Sequence, residues 1–106
     1  MRVIINKNKA LGYMDIGEAN GYLIIDDKNH PWYGKHYNDI DIDVHGGLTY
    51  SELVESGDLQ CFDELIEGDV GSWMIGFDTC HCGDTTEQWP AEYVRSYAKV
   101  AFLLEK

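Results

Sequence analysis

The sequence predicts an α+β fold: a small, mainly antiparallel sheet with a C-terminal helix and loops pinned by a metal ion. Three observations carry this expectation. Short apolar runs are bounded by turn residues, as strands are; a closing segment repeats its apolar residues at helical spacing; and His, Cys and Asp gather where the strands give out.

The elements follow in chain order. Arg2 to Asn6, with Val3, Ile4 and Ile5 together, reads as a first strand. Gly21-Tyr22-Leu23-Ile24-Ile25 is a second, opened by Asn20 and closed by Asp26-Asp27. Lys28 to Asn38 is a loop with no periodicity and two histidines, a length at which loops are usually functional or held by something. Asp39 to Val44 alternates acidic and apolar residues, predicting a half-buried strand with Ile40, Ile42 and Val44 inward. Leu48-Thr49-Tyr50 resumes a strand after the Gly46-Gly47 bend, and Ser51 to Leu59 reads as a loop or helical turn. Trp73 to Phe77 is a buried strand running into Asp78. Pro90 suits a first helical position, and Val94, Tyr97, Ala98, Ala101 and Leu104 form an apolar stripe on a helix predicted from Pro90 to Glu105.

One hundred and six residues make a single domain, 1–106, burying about 60% or more of the surface its unfolded chain exposes. A structural metal would add useful stability at this size. Nineteen acidic residues oppose eight basic ones, a formal net charge of −11. Phosphate backbones and anionic membranes both need Lys and Arg, so direct nucleic-acid and membrane binding are disfavoured. A cationic partner suits this charge, such as the basic groove of a nucleic-acid-binding host protein, and so does a bound cation. Met1-Arg2 leads into only three apolar residues, so no signal peptide is expected, and no run approaches a membrane span. The three cysteines, 61, 80 and 82, are then expected as free thiols in a reducing cytoplasm.

Phe77-Asp78-Thr79-Cys80-His81-Cys82-Gly83-Asp84 concentrates imidazole, thiol and carboxylate groups directly after a strand. All three are zinc donors, and Asp78 and His81 are spaced so that one turn could bring both to a single ion. One segment cannot wrap a tetrahedral ion. His45, before a glycine pair that permits a tight bend, and His30, at the start of the His-Pro loop, are the best further donors. The predicted set is therefore His30, His45, Asp78 and His81 around a zinc ion, with no catalytic residue. Cys61, Cys80 and Cys82 with His81 form a poorer set, because a Cys-x-Cys spacing is too close for the usual zinc pair. Asp39, Asp41 and Asp43 begin like a calcium loop, but Val44 and Tyr50 stand where that loop needs Gly and Glu. His45-Gly46-Gly47 lacks the Gly-x-Ser-x-Gly elbow that an esterase would require.

Three blocks, in order, carry a resemblance: His30-Pro31-Trp32-Tyr33-Gly34, Asp43-Val44-His45-Gly46-Gly47-Leu48-Thr49-Tyr50, and Ile75-Gly76-Phe77-Asp78-Thr79-Cys80-His81-Cys82-Gly83-Asp84. Together they resemble a family of small phage and prophage proteins with the pattern His-Pro-x-Tyr-Gly, His-Gly-Gly-(Ile/Leu)-Thr and Gly-Phe-Asp-x-x-His-x-Gly-Asp. The resemblance covers about Gly21 to Asp84, while the first twenty residues have no counterpart in the pattern. It implies that the positions of Cys80 and Cys82 tolerate other residues, leaving the His/Asp set as the ligands. It also implies a Cas9-directed anti-CRISPR inhibitor, acting in the host cytoplasm. The expected function is then non-enzymatic: a structural ion holds the loops, and an acidic face occupies a basic surface that nucleic acid would otherwise use. The rival expectation is a metal-dependent hydrolase of a phosphate or nucleotide, with His45, Asp78 and His81 leaving a water position open and Asp84 as general base.

Overall fold

The computed structural model describes residues 1–8 and 16–104. Four strands, β1 (Arg2–Lys7), β2 (Ala19–Ile25), β3 (Tyr50–Leu53) and β4 (Trp73–Phe77), form one antiparallel sheet in the order β1-β2-β4-β3. A C-terminal helix, α1 (Ala91–Lys99), continues into a wider π-helical turn, Val100–Leu104. The α+β expectation therefore holds.

β1, β2 and β4 carry continuous apolar runs because both faces of the sheet are covered there, whereas the edge strand β3, Tyr-Ser-Glu-Leu, is partly exposed. Successive side chains alternate between faces, and the core divides accordingly. Val3, Ile5, Leu23, Ile25, Ile75 and Phe77 face α1, meeting Val94, Ala98 and Phe102. Ile4, Tyr22, Ile24 and Met74 face the opposite way and are covered by Val54, Phe62 and Leu65. Two glycines sit within the central strands because an aromatic ring occupies the space above each. A Cβ at Gly76 would stand 2.2 Å from the Tyr22 ring, and one at Gly21 would stand 2.8 Å from the Phe77 ring. Tyr22 is opposite Gly76 and Gly21 opposite Phe77, so the two pairs are reciprocal.

Three sequence expectations need correcting. Asp39–Val44 is not a strand: only its first residue falls within a short 3-10 turn, Tyr37–Asp39, and the rest is irregular. Its alternation is nevertheless real, since Ile40 and Val44 are buried against the helix-side core while Asp39, Asp41 and Asp43 are exposed. Alternation reports which side of an extended segment faces the core; it does not by itself make the segment pair, and this one joins none of the four strands. The resumed strand begins at Tyr50 and runs to Leu53, through residues expected to form a loop.

The helix is the third case. Pro90 is its N-cap, extended at ψ 153°, and the Glu18 carboxylate accepts the Ala91 N–H at 2.6 Å in place of a capping side chain from the helix itself. The π-helical turn then shifts the phase of the stripe, burying Phe102 and leaving Leu104 73% exposed. Glu105, the expected last residue, lies outside the described residues.

Two arginine pairs fasten the outer edge of β1. Arg2 grips both oxygens of Asp69 at 2.7 and 2.8 Å, and Arg95 of α1 grips both oxygens of Glu64 at 2.9 and 2.6 Å. Glu64 also accepts the Ile5 N–H at 3.1 Å, occupying part of the edge that would otherwise be open to another strand. No helix among the described residues is long and apolar enough to cross a membrane.

Candidate metal centre

The loop leaving β4 is tied down at its first residues. Thr79 is fully buried; its hydroxyl donates to the Ala19 carbonyl at 2.6 Å, and its N–H donates to Asn20 Oδ1 at 3.0 Å. The Gly17 N–H donates to the Thr79 carbonyl at 2.7 Å. With this anchor set on the start of β2, residues 80–84 turn back sharply: the Asp84 N–H donates to the His81 carbonyl at 2.9 Å, and Gly83 adopts φ 94°. The turn brings the Asp84 carboxylate under the loop, where its side chain is only 6% exposed.

Asp84 collects three donors there. The His81 N–H reaches Oδ2 at 2.9 Å and His81 Nδ1 lies 3.1 Å from the same oxygen. His45 Nε2 lies 2.9 Å from Oδ1 and 3.1 Å from Oδ2. Burial pushes the Asp84 carboxyl up, but the His81 N–H and the two imidazoles outweigh it and hold the group below its ordinary range.

His45 arrives from the turn between Val44 and Gly47, whose N–H and carbonyl close at 2.8 Å. Gly46 is required at this turn. Its φ is 70°, and a Cβ there would stand 2.3 Å from the His81 ring, so the imidazole packs directly on bare backbone. The two imidazoles stand edge to face, 5.2 Å apart. Trp89 lies against His45 with ring centroids 4.3 Å apart, and its own contacts run to Tyr93 and Tyr97.

Among the described residues, the metal-competent group is His45, His81 and Asp84, with one donor atom from each within 4.8 Å of the others. Zinc bonds of 2.0–2.2 Å place tetrahedral donors about 3.4 Å apart. The His45–Asp84 and His81–Asp84 separations of 2.9 and 3.1 Å are near that spacing, and donors spread over as much as 4.8 Å must close by up to about 1.4 Å to share an ion. The donor chemistry, two imidazoles and a carboxylate, fits zinc.

Two of the four residues predicted as ligands, His45 and His81, are thus brought together. Asp78 lies alongside: its Oδ1 is 3.6 Å from His81 Nδ1, but the same oxygen turns back to accept the Cys80 N–H at 3.0 Å. His30 belongs to a different turn, where its Nδ1 accepts the Trp32 N–H at 3.1 Å and its ring meets Trp32. His36 accepts the Asn38 N–H in the same local way.

Asp84 takes the place that spacing alone gave to Asp78. It too is three residues from His81, and nothing in the linear spacing says which of the two carboxylates the turn carries inward. All three cysteines are free and exposed. Partial desolvation and the carboxylates of Asp78 and Asp84 push the Cys80 thiol up, which makes it a poorer thiolate donor.

No family model matches the chain, and no curated protein or solved structure matches it significantly.

Proposed function

We infer that the chain is a non-catalytic protein in which one divalent ion, zinc, is held by His45, His81 and Asp84. The ion cross-links the 45–47 turn to the loop after β4, and the acidic surface docks on a basic partner, a Cas9-type effector. The observation that carries the metal reading is the Asp84 carboxylate, buried between two imidazoles that converge on it. The formal net charge of −11 supports the docking reading, since Cas9 holds its nucleic acids in positively charged channels. The partner's identity rests on the three sequence blocks.

Elemental analysis of zinc-equilibrated protein tests the metal. We expect about one zinc per chain, lost in His45→Ala, His81→Ala and Asp84→Asn and kept in His30→Ala; a metal-free wild type refutes the reading. Docking is tested by titrating purified Cas9 as salt rises. Charge-driven binding weakens steeply with ionic strength, and a salt-independent affinity would exclude it.

One observation favours a second reading, a metal-dependent hydrolase: three protein donors are the number found in catalytic zinc sites, where water takes the fourth place. Asp84, lying among those donors, would then be a ligand rather than the general base.

A further inference from the structure

The two outer edges of the sheet differ. β1 and β3 stand at its ends, so each presents backbone donors and acceptors that no neighbouring strand takes up. At β1 the Glu64 carboxylate accepts the Ile5 N–H, and the Asn6 side chain reaches the Cys61 carbonyl at 3.2 Å, so the 61–64 segment lies along that edge. Arg2 and Arg95 stand there too, each held by a carboxylate. At β3 the Val54 N–H donates to the Ser72 carbonyl and the Val54 carbonyl accepts the Gly71 N–H, both at 2.9 Å, so Val54 is turned toward the β4 side. The alternation of an antiparallel ladder then turns the N–H and carbonyl of Ser51 and Leu53 outward. The Tyr37 N–H reaches the Ser51 hydroxyl at 3.0 Å, but Leu53 beyond it is 44% exposed, and Glu52 is exposed as well.

The charge around this edge has one sign. Fourteen of the nineteen acidic residues lie between Lys35 and Arg95, an interval without Lys or Arg, and β3 sits inside it. Glu52 is on the strand and Glu55 just past it, and Asp39 comes alongside with the turn that meets Ser51. Burial, and then the charges of Asp58 and Glu52, push the Tyr50 hydroxyl up, so both carboxylates stand near the start of the strand. A segment docking here is favoured if it carries Lys or Arg. A second copy of β3 is disfavoured, because it would set these carboxylates against their own kind.

We propose that the outer edge of β3, from Ser51 to Leu53, pairs with an extended Lys- or Arg-bearing segment of a partner protein, which joins the sheet as a further strand. The proposal rests on the reading that the acidic surface docks on a basic partner, and it gives that docking a place and a mode.

The probe is a short peptide alternating lysine with valine, titrated at low salt into the isotope-labelled full chain and followed by amide NMR. The expected result is saturable shifts centred on the Ser51 and Leu53 amides, with both exchanging more slowly with solvent. Methylating the peptide's backbone amides should weaken binding about tenfold or more, since each lost hydrogen bond is worth a factor of about two to ten. Leu53→Pro removes an outward N–H and keeps the ladder to β4, so it should abolish the shifts while the circular dichroism stays that of wild type. Glu52→Lys, at an exposed position, should weaken binding several-fold and keeps the test decisive if the proline variant misfolds. Shifts centred elsewhere, equal binding of the methylated peptide, or binding retained by both variants would mean charge docking without strand addition and overturn the proposal. No binding at low salt would overturn it too, and self-association through β3 would overturn it in favour of a second copy. The docking reading itself is judged by the Cas9 titration, so the two fail separately.

Discussion

Asp69 and Glu64, at the outer edge of β1, each face an arginine, whereas Asp84, in the loop after β4, faces two histidines. The local geometry is similar: each carboxylate has both oxygens engaged and accepts a backbone N–H. The difference lies in the cation. A guanidinium is charged throughout the range in which proteins fold, so the two arginine pairs are self-sufficient. Among the described residues, the buried Asp84 carboxylate has no guanidinium beside it and is held by the His81 N–H and the two rings alone. One region is closed electrostatically by the chain, and the other, on the proposed reading, is completed by a bound ion.

The largest effect should come from breaking that completion. With zinc about a hundredfold above its dissociation constant, binding adds about 2.7 kcal/mol, so chelation should lower the melting temperature by roughly 10–20 °C in a domain of this size. Calorimetry with and without chelator measures this. Asp84→Asn should abolish the zinc-dependent difference, while Asp69→Asn should lower both curves and preserve it. A zinc-dependent shift that survives in Asp84→Asn would collapse the contrast between the two regions.

Acid sharpens the comparison from the other side. The Arg2 guanidinium holds the Asp69 carboxyl below its ordinary value of 3.8, against the opposing effect of burial. A depressed carboxyl contributes stability that is present above its unfolded value and lost as pH falls through its folded one. Metal-free protein should therefore lose about 1–2 kcal/mol below pH ~4 through this pair. Urea melts between pH 5 and pH 2.5 should show Asp69→Asn losing less over the same interval. An identical pH profile for wild type and variant would mean that Arg2 contributes nothing to folding.

An effect of similar size is expected at Gly46. An alanine there meets the His81 ring and must also hold φ 70°, so Gly46→Ala should destabilise by about 1–2 kcal/mol and weaken zinc uptake. Melting curves with competitive zinc titration would show both. Unaltered zinc affinity would mean that the turn does not set the position of His81.

The sequence by itself determined the fold class, the β1 and β2 strands to within two residues at either end, all of β4, and the helix, because apolar periodicity and turn residues are local signals. It also pointed to His45, before a glycine pair, and to His81, three residues past Asp78 in the segment that follows β4. The tertiary structure decided what depends on distant partners. Asp39–Val44 kept its inward and outward sides but joined no strand of the sheet, and Leu104 left the apolar stripe once the helix widened. The carboxylate was decided in the same way. Asp78 and Asp84 stand equally far from His81 along the chain, so the spacing treats them alike. The Thr79 anchor on β2 and the turn through Gly83 carry Asp84 inward and leave Asp78 capping Cys80. A fold class is written in local periodicity, but a site is made by contacts between segments, and only folding brings those segments together.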